Sequence, residues 1–516
     1  MSDGVYQKLP SEGKNEQKTS PSQDSVSSQN TWPGFEAASA SAPHNSPHPQ
    51  PNGAMDDLEV DATGEFDPEN GTSSMRMAFM NMANSILGAG IIGQPLAMKN
   101  AGLVGGIVVM VGLAWLIDWT LRLIVINAHI SQTKSYQDTA NFCYGRTGRL
   151  VLLASISSFA YGGCMAFCII IGDTIPHVLK SMLPSSITST DTSVIGWLFE
   201  RNVIIVVFTT CISYPLSLNR DISKLAKASG FALLGMAIIV VITVVRGPTV
   251  DASLKAPLSA QEWFVNKNLF QGISVISFAL VCHHNTLFIY QSMKNASTKK
   301  FATLTHWACG VSMCFCLLMG VPGLLNFGHN IKGNILNNFR SDDAWINVAR
   351  FCFGLNMLTT FPLEIFVVRD VLKDIVLAGT PSPSSHGGTS TSTSISTAHL
   401  ELSKKQHFII TTALVFSSMS VSLFTCNLGM ILELIGATSA SLMAYIIPPL
   451  CFLKLSWDNF DFKMSTRDEK VRFCLMKALP CILCTLFGVA VMIISSYMTI
   501  RDSFNNDGND THCVND

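Results

Sequence analysis

Eleven apolar runs dominate this sequence, at 75–98, 103–126, 151–172, 200–218, 229–246, 270–291, 303–325, 345–368, 406–425, 428–453 and 472–497. A helix needs about 20 such residues to cross a bilayer, and most of the runs reach that length. Inside lipid every backbone polar group must find a partner within the protein, which restricts spanning segments to helices or closed barrels. A barrel is excluded, because these runs are continuous and lack the alternation of barrel strands. The expected fold class is an all-α membrane protein with eleven transmembrane helices. Charged residues make up 13% of the chain, about half the share of a soluble protein.

The remaining charge is unevenly placed. Residues 1–73 hold twelve Asp and Glu against three Lys, a net of −9, so the rest of the chain carries +8 against a total of −1. This acidic tail is rich in Ser, Pro, Gln, Asn and Gly. It lacks the apolar core of a secretory signal, and its composition is that of a disordered cytosolic segment. Tyr6–Leu9, "YQKL", has the form of a tyrosine-based sorting signal, so trafficking or regulatory partners are expected at the tail. With the tail in the cytosol, the short cytosolic loops hold seventeen Lys and Arg, about twice the number on the other side, which fixes the orientation as N-in and C-out. The short tail 499–516 is then non-cytosolic and contains the glycosylation sequon at Asn509, whereas those at Asn70 and Asn295 face the cytosol. The Ser/Thr-rich stretch 379–398 reads as a solvated cytosolic linker. Nearly all fifteen cysteines lie in apolar runs and read as small apolar filler, without the four ligands of a zinc site.

Two spans contain residues that do not suit a helix. The first, "NSILGAGIIGQPLAM" (Asn84–Met98), places three glycines and a proline between Gly88 and Pro95. In a helix interior, glycine costs roughly 1 kcal/mol and proline about 3 kcal/mol relative to alanine. The sixth, "SFALVCHHNTLFIY" (Ser277–Tyr290), is interrupted by Cys282, His283, His284 and Asn285. If the eleven spans divide as five, five and one, the interruptions fall at the first span of each half, the pattern of an inverted-repeat transporter. An unwound segment frees N–H groups that suit a carboxylate and carbonyls that suit a cation. Close helix packing on Gly88, Gly90 and Gly93 is the competing explanation.

"NSILGAGIIGQPLAMKNAGLVGG" (Asn84–Gly106), "SYPLSLNRDISKLAKAS" (Ser213–Ser229), "CHHNTLFIY" (Cys282–Tyr290) and "LELIGATSASLMAYIIPPL" (Leu432–Leu450) resemble the amino acid/auxin permease family. The resemblance is nearest to its sodium-coupled neutral amino acid transporter branch and to the fungal vacuolar amino acid transporters, and it runs over 74–498, the transporter domain. It implies a LeuT-like 5+5 inverted repeat with broken first and sixth helices plus one extra helix, and secondary active transport of amino acids by alternating access. On the matching motifs it places the coupling ion, Na⁺ or H⁺, at Asn84 with a hydroxyl from the eighth span, Thr360 or its neighbour Thr359. It places the substrate's amino and carboxylate groups against Gly88, Ala89, Gly90 and Ile91 and against Cys282, His283, His284 and Asn285. The structural alternative is that Asn84 caps the broken helix and Thr360 bonds its own backbone.

Asp118, Asp173, Glu364 and Glu433 are acids within or at the edge of spans, where charge is expensive. Asp118 is expected to pair with Arg122 one turn on, Asp173 to sit at a membrane edge, Glu364 to line the pathway, and Glu433 to begin the tenth span. The pocket shows no fixed charge, which points to neutral amino acids. No enzymatic pattern of nucleophile and base, no nucleic-acid site and no metal or cofactor is expected. A transceptor, an amino-acid sensor signalling through its tail, is the rival reading, and the fungal likeness tilts the membrane toward the vacuole.

Overall fold

The computed structural model describes residues 71–183, 196–220, 229–378, 402–461 and 464–506. The acidic tail up to residue 70, the Ser/Thr linker 379–398, and residues 507–516 with the Asn509 sequon lie outside the described residues. The helices, in chain order, begin with α1 (Met75–Ile86), α2 (Gln94–Ala101), α3 (Leu103–Ser131), α4 (Tyr136–Met182), α5 (Arg201–Ser217) and α6 (Ser229–Arg246). They continue with α7 (Leu269–Leu280), α8 (Thr286–Ser292), α9 (Thr298–Phe327), α10 (Ala344–Ala378), α11 (Lys404–Phe424), α12 (Leu428–Asp458) and α13 (Arg467–Asn505).

Among the described residues nine helical segments are long and apolar enough to cross a membrane, with α7 and α8 counted together. Two of the eleven expected runs are not among them. The run 75–98 is divided between α1 and α2, and the run 200–218 is the shorter α5, which passes through a π-helical turn at Thr209–Ser213. The run 270–291 is divided as expected, between α7 and α8.

Local sequence explains the helix ends. Ser403 and Gln406 form a capping box at the start of α11, as Thr466 and Glu469 do at α13. Each satisfies two backbone groups that a helix start would leave free. The side chains of Ser135 and Ser297 cap α4 and α9. Gly145, at φ +61°, bends α4 after its first turns, a conformation that costs glycine nothing.

Small residues set how closely the helices approach. A Cβ on Gly272 of α7 would lie 2.8 Å from the Ala97 carbonyl, and one on Gly323 of α9 would lie 2.5 Å from the Pro95 ring. A membrane bundle gains no hydrophobic drive from lipid, so such contacts carry its packing. They hold α2 largely inside the molecule, packed against α7 and α9. By contrast α1 begins with exposed Met75 and Met77. Large apolar side chains such as Trp115, Trp307, Phe288 and Phe424 face outward, as a lipid-facing surface requires.

Candidate functional site

At the first interruption the α-helix stops at Ile86 and resumes at Gln94, with a 3₁₀ turn over Ala89–Gly93 between. At the second it stops at Leu280 and resumes at Thr286, with extended Val281 followed by a turn at His283–Asn285. The two interruptions meet. Asn285 donates its side-chain N–H to the Ser85 hydroxyl at 2.8 Å. A Cβ on Gly90 would lie 2.5 Å from the Ala279 methyl.

The glycines therefore have different tasks. Gly90 and Gly93 are contact glycines, because added Cβ atoms there would meet Ala279, and Leu432 and Val275. Gly88 is half-buried and would meet nothing within 4 Å. It faces open space. Part of the freed backbone is already satisfied, since Gln94 donates to the Gly90 carbonyl at 2.8 Å. The packing explanation therefore holds at Gly90 and Gly93 and not at Gly88.

The adjacent histidines diverge as well. His283 is fully buried, and its Nε2 lies 2.9 Å from the Thr120 hydroxyl on α3. His284 is half-buried and its ring lies 5.6 Å from that of Phe159 on α4. Among the described residues neither Nδ1 has a hydrogen-bond partner. Cys282 is buried beside them with a free thiol.

The residues expected at the ion site remain apart in hydrogen-bond terms. Asn84 is half-buried on α1, and no hydrogen bond joins it to Thr359 or Thr360 among the described residues. Thr360 donates to the Asn356 carbonyl at 2.8 Å, and Thr359 to the same carbonyl at 2.9 Å. Both hydroxyls use their proton on their own helix, while their oxygen lone pairs remain available as acceptors. The main neighbours of α10 are α4 and α6, whereas α1 packs on α6, α8 and α9.

The four acids differ from one another. Asp118 pairs with Arg122 at 3.1 Å as expected, and also with His306 of α9 at 3.0 Å. Asp173 is more than an edge residue. It pairs with Arg201 at 3.3 Å and accepts from Asn337 at 3.0 Å, clasping α4 to α5 and to the loop before α10. Glu433 does not begin its helix, because Asn427 caps α12 and Glu433 follows more than one turn later. It accepts from Asn100 at 2.9 Å, Thr499 at 3.0 Å and Gln271 at 3.2 Å. Glu364 has a buried carboxylate oxygen with no hydrogen-bond partner among the described residues. Among the described residues no group of three or more His, Cys, Asp or Glu is placed to hold a metal.

One cysteine departs from the filler role. Among the described residues thirteen are free, but Cys426, in the loop between α11 and α12, is disulfide-bonded.

Residues 71–501 match the family model described as "Transmembrane amino acid transporter protein". The chain is 48% identical over 462 residues to "Vacuolar amino acid transporter 2" of Saccharomyces cerevisiae, covering 89% of each chain. It is 32% identical to "Putative sodium-coupled neutral amino acid transporter 11" of Danio rerio, covering 83% of this chain and 87% of that one. A solved structure, "Crystal structure of MhsT in complex with L-phenylalanine", aligns over 83% of this chain and 98% of its own, at a TM-score of 0.47 and 11% identity, a likeness too loose to assign residue roles. This multi-pass, mostly helical chain thus belongs to the transmembrane amino acid transporter family, the amino acid/auxin permeases, whose function is not enzymatic.

Proposed function

We propose that this protein is a secondary active transporter that carries amino acids across its membrane in exchange for the free energy of a Na⁺ or H⁺ gradient. The observation that carries this reading is the pair of facing interruptions, joined by Ser85 and Asn285, with Gly88 turned to open space beside them. Helix ends inside a membrane concentrate unpaired N–H and C=O groups, which grip the carboxylate and ammonium of an amino acid. Gly88–Ile91 and Cys282–Asn285 supply those groups. Asn84, with the hydroxyl oxygens of Thr360 and Thr359, is the proposed seat of the coupling ion, reached when α1 and α10 approach.

The proposed topology is eleven spans, α1 with α2 as the first and α7 with α8 as the sixth, in a 5+5 repeat plus one. The acidic tail is then cytosolic and the loop bearing Cys426 is not. A bonded cysteine fits an oxidising compartment and supports that orientation. Lys99 at the end of α2 donates to the His329 carbonyl at 2.9 Å, and α2 is caged by α7 and α9. The partly exposed α1, with Gly88 and His284, would then lie on the cytosolic half of the bundle, which suits an inward-facing state of an alternating-access cycle. The 48% identity to a protein named a vacuolar transporter favours the vacuolar membrane. A sensing role through the acidic tail is the second reading, supported by the tail's length and charge.

The deciding experiment is uptake of labelled amino acids into proteoliposomes under an imposed sodium or proton gradient. Accumulation driven by one gradient, and reduced at least tenfold by Asn84→Ala, is the expected result. Gradient-independent binding without flux would favour the sensor.

A further inference from the structure

Glu433 on α12 is 7% exposed and accepts hydrogen bonds from Asn100 at 2.9 Å, Thr499 at 3.0 Å and Gln271 at 3.2 Å. All three donors are neutral, and no cation pairs with this carboxylate among the described residues. An ionised acid held this way in a membrane protein is costly, since only neutral dipoles offset its desolvation. A second acid stands close by. The Gln271 nitrogen that donates to Glu433 also lies 3.4 Å from a carboxylate oxygen of Asp502 on α13. Two carboxylates around one amide repel each other, and a proton bound by either relieves that repulsion.

The surroundings also fit the protonated acid. Gln271 is 4% exposed, and its Oε1 has no hydrogen-bond partner among the described residues. A carboxylic acid carries one O–H donor that a carboxylate lacks. With the Gln271 amide turned over, that O–H donates to the orphaned oxygen, in place of the bond Glu433 now accepts. Asp502 is 32% exposed and pairs with Arg501 at 2.9 Å, so water reaches the edge of the cluster. Around this part of α12, α2 contributes Lys99, whose ammonium is turned to the His329 carbonyl. The helix α4 contributes Asp173, which is paired with Arg201, and α7 contributes no charged side chain.

The cluster is connected to the proposed amino-acid site through two helices. From the first interruption, α2 runs from Gln94 past Asn100, and α7 runs from near Gln271 to Leu280, where the second interruption begins. Each has one end at an interruption and the other bonded to Glu433. We propose that Glu433 binds a proton during the transport cycle. Ionised, it ties the far ends of α2 and α7 to α12 and α13. Protonated, it gives up accepted bonds and releases those ends. Hydrogen bonds to the ionised form hold the proton off while the cluster is intact, so a lower pH favours the released state. This rests on the amino-acid transport reading above and adds a residue outside the substrate and ion positions named there.

The test is exchange of a labelled amino acid in proteoliposomes with the same amino acid and the same pH on both sides, so that no gradient drives it. The unaltered protein should exchange at least threefold faster at about pH 5 than at about pH 8. Glu433→Gln, which cannot ionise, should make the rate independent of pH. Asp502→Asn removes the neighbouring negative charge and should move the midpoint of the profile to lower pH by about half a unit or more. A flat profile in the unaltered protein overturns the proposal, as does a Glu433→Gln variant that keeps the wild-type profile. If Glu433→Gln does not fold, an unmoved midpoint in Asp502→Asn overturns it. If no amino acid exchanges at any pH, the transport reading fails together with this proposal. Exchange that ignores pH refutes the proposal alone.

Discussion

Ser85 and Asn285 stand 200 positions apart in the chain, yet the Asn285 amide donates to the Ser85 hydroxyl at 2.8 Å across two interrupted helices. The bond ties the end of α1 to the turn that opens α8, so the two halves of the site keep a common geometry. A neutral hydrogen bond of this kind contributes about 1 kcal/mol, or about fivefold in an equilibrium constant. Asn285→Ala should therefore raise the KM for the transported amino acid about fivefold or more. Protein yield and Tm should change little. An unchanged KM in kinetic uptake assays would contradict a role at the site.

The two tasks of the glycines separate by thermal unfolding. A Cβ on Gly90 would lie 2.5 Å from the Ala279 methyl, whereas one on Gly88 meets nothing within 4 Å. Overpacking of that kind costs about 1–3 kcal/mol, so Gly90→Ala should lower Tm by several degrees. Gly88→Ala should leave Tm nearly unchanged and lower transport. Equal loss of Tm in both variants would return Gly88 to a packing role.

Glu433 gathers three donors, Asn100, Gln271 and Thr499, from the ends of α2, α7 and α13. Removing the acceptor leaves those donors unsatisfied, at about 1–3 kcal/mol for each one that stays buried and unpaired. Glu433→Ala should lower Tm markedly, and Glu433→Gln less so because its amide oxygen still accepts. Scanning fluorimetry on purified protein gives both values. Equal Tm for all three proteins would show that the cluster is not structural.

Cys426 is disulfide-bonded while thirteen other cysteines are free, and the fifteenth cysteine of the sequence is Cys513. Peptide mapping without reductant should recover a Cys426–Cys513 cross-link. Free thiols at both positions in protein isolated from its native membrane would contradict the non-cytosolic placement of this loop.

Much of the membrane architecture is legible from run length, because a spanning helix must be long, continuous and apolar. The two interruptions are legible for the opposite reason, since glycine, proline and polar residues stand where a helix would not choose them. The partnerships are harder to read. Adjacent His283 and His284 share a motif but turn to different neighbours, Thr120 and Phe159, and only the unwound backbone decides which goes where. Asp118 with Arg122 is a local pair at helical spacing and is visible in the sequence. Asp173 with Arg201, and Glu433 with its three donors, depend on long-range packing that no spacing encodes. The bonded Cys426 was hidden among apolar cysteines, although its place at the end of a run beside Asn427 was a usable signal.

The most direct measurement of the central claim is thiol labelling at Gly88, where the structure leaves room for a side chain. With Gly88→Cys in proteoliposomes, maleimide modification at position 88 is followed by mass spectrometry with and without saturating transported amino acid. The expected result is labelling that slows at least fivefold when the amino acid is present. Labelling at the same rate under both conditions would contradict an amino-acid site between the two broken helices.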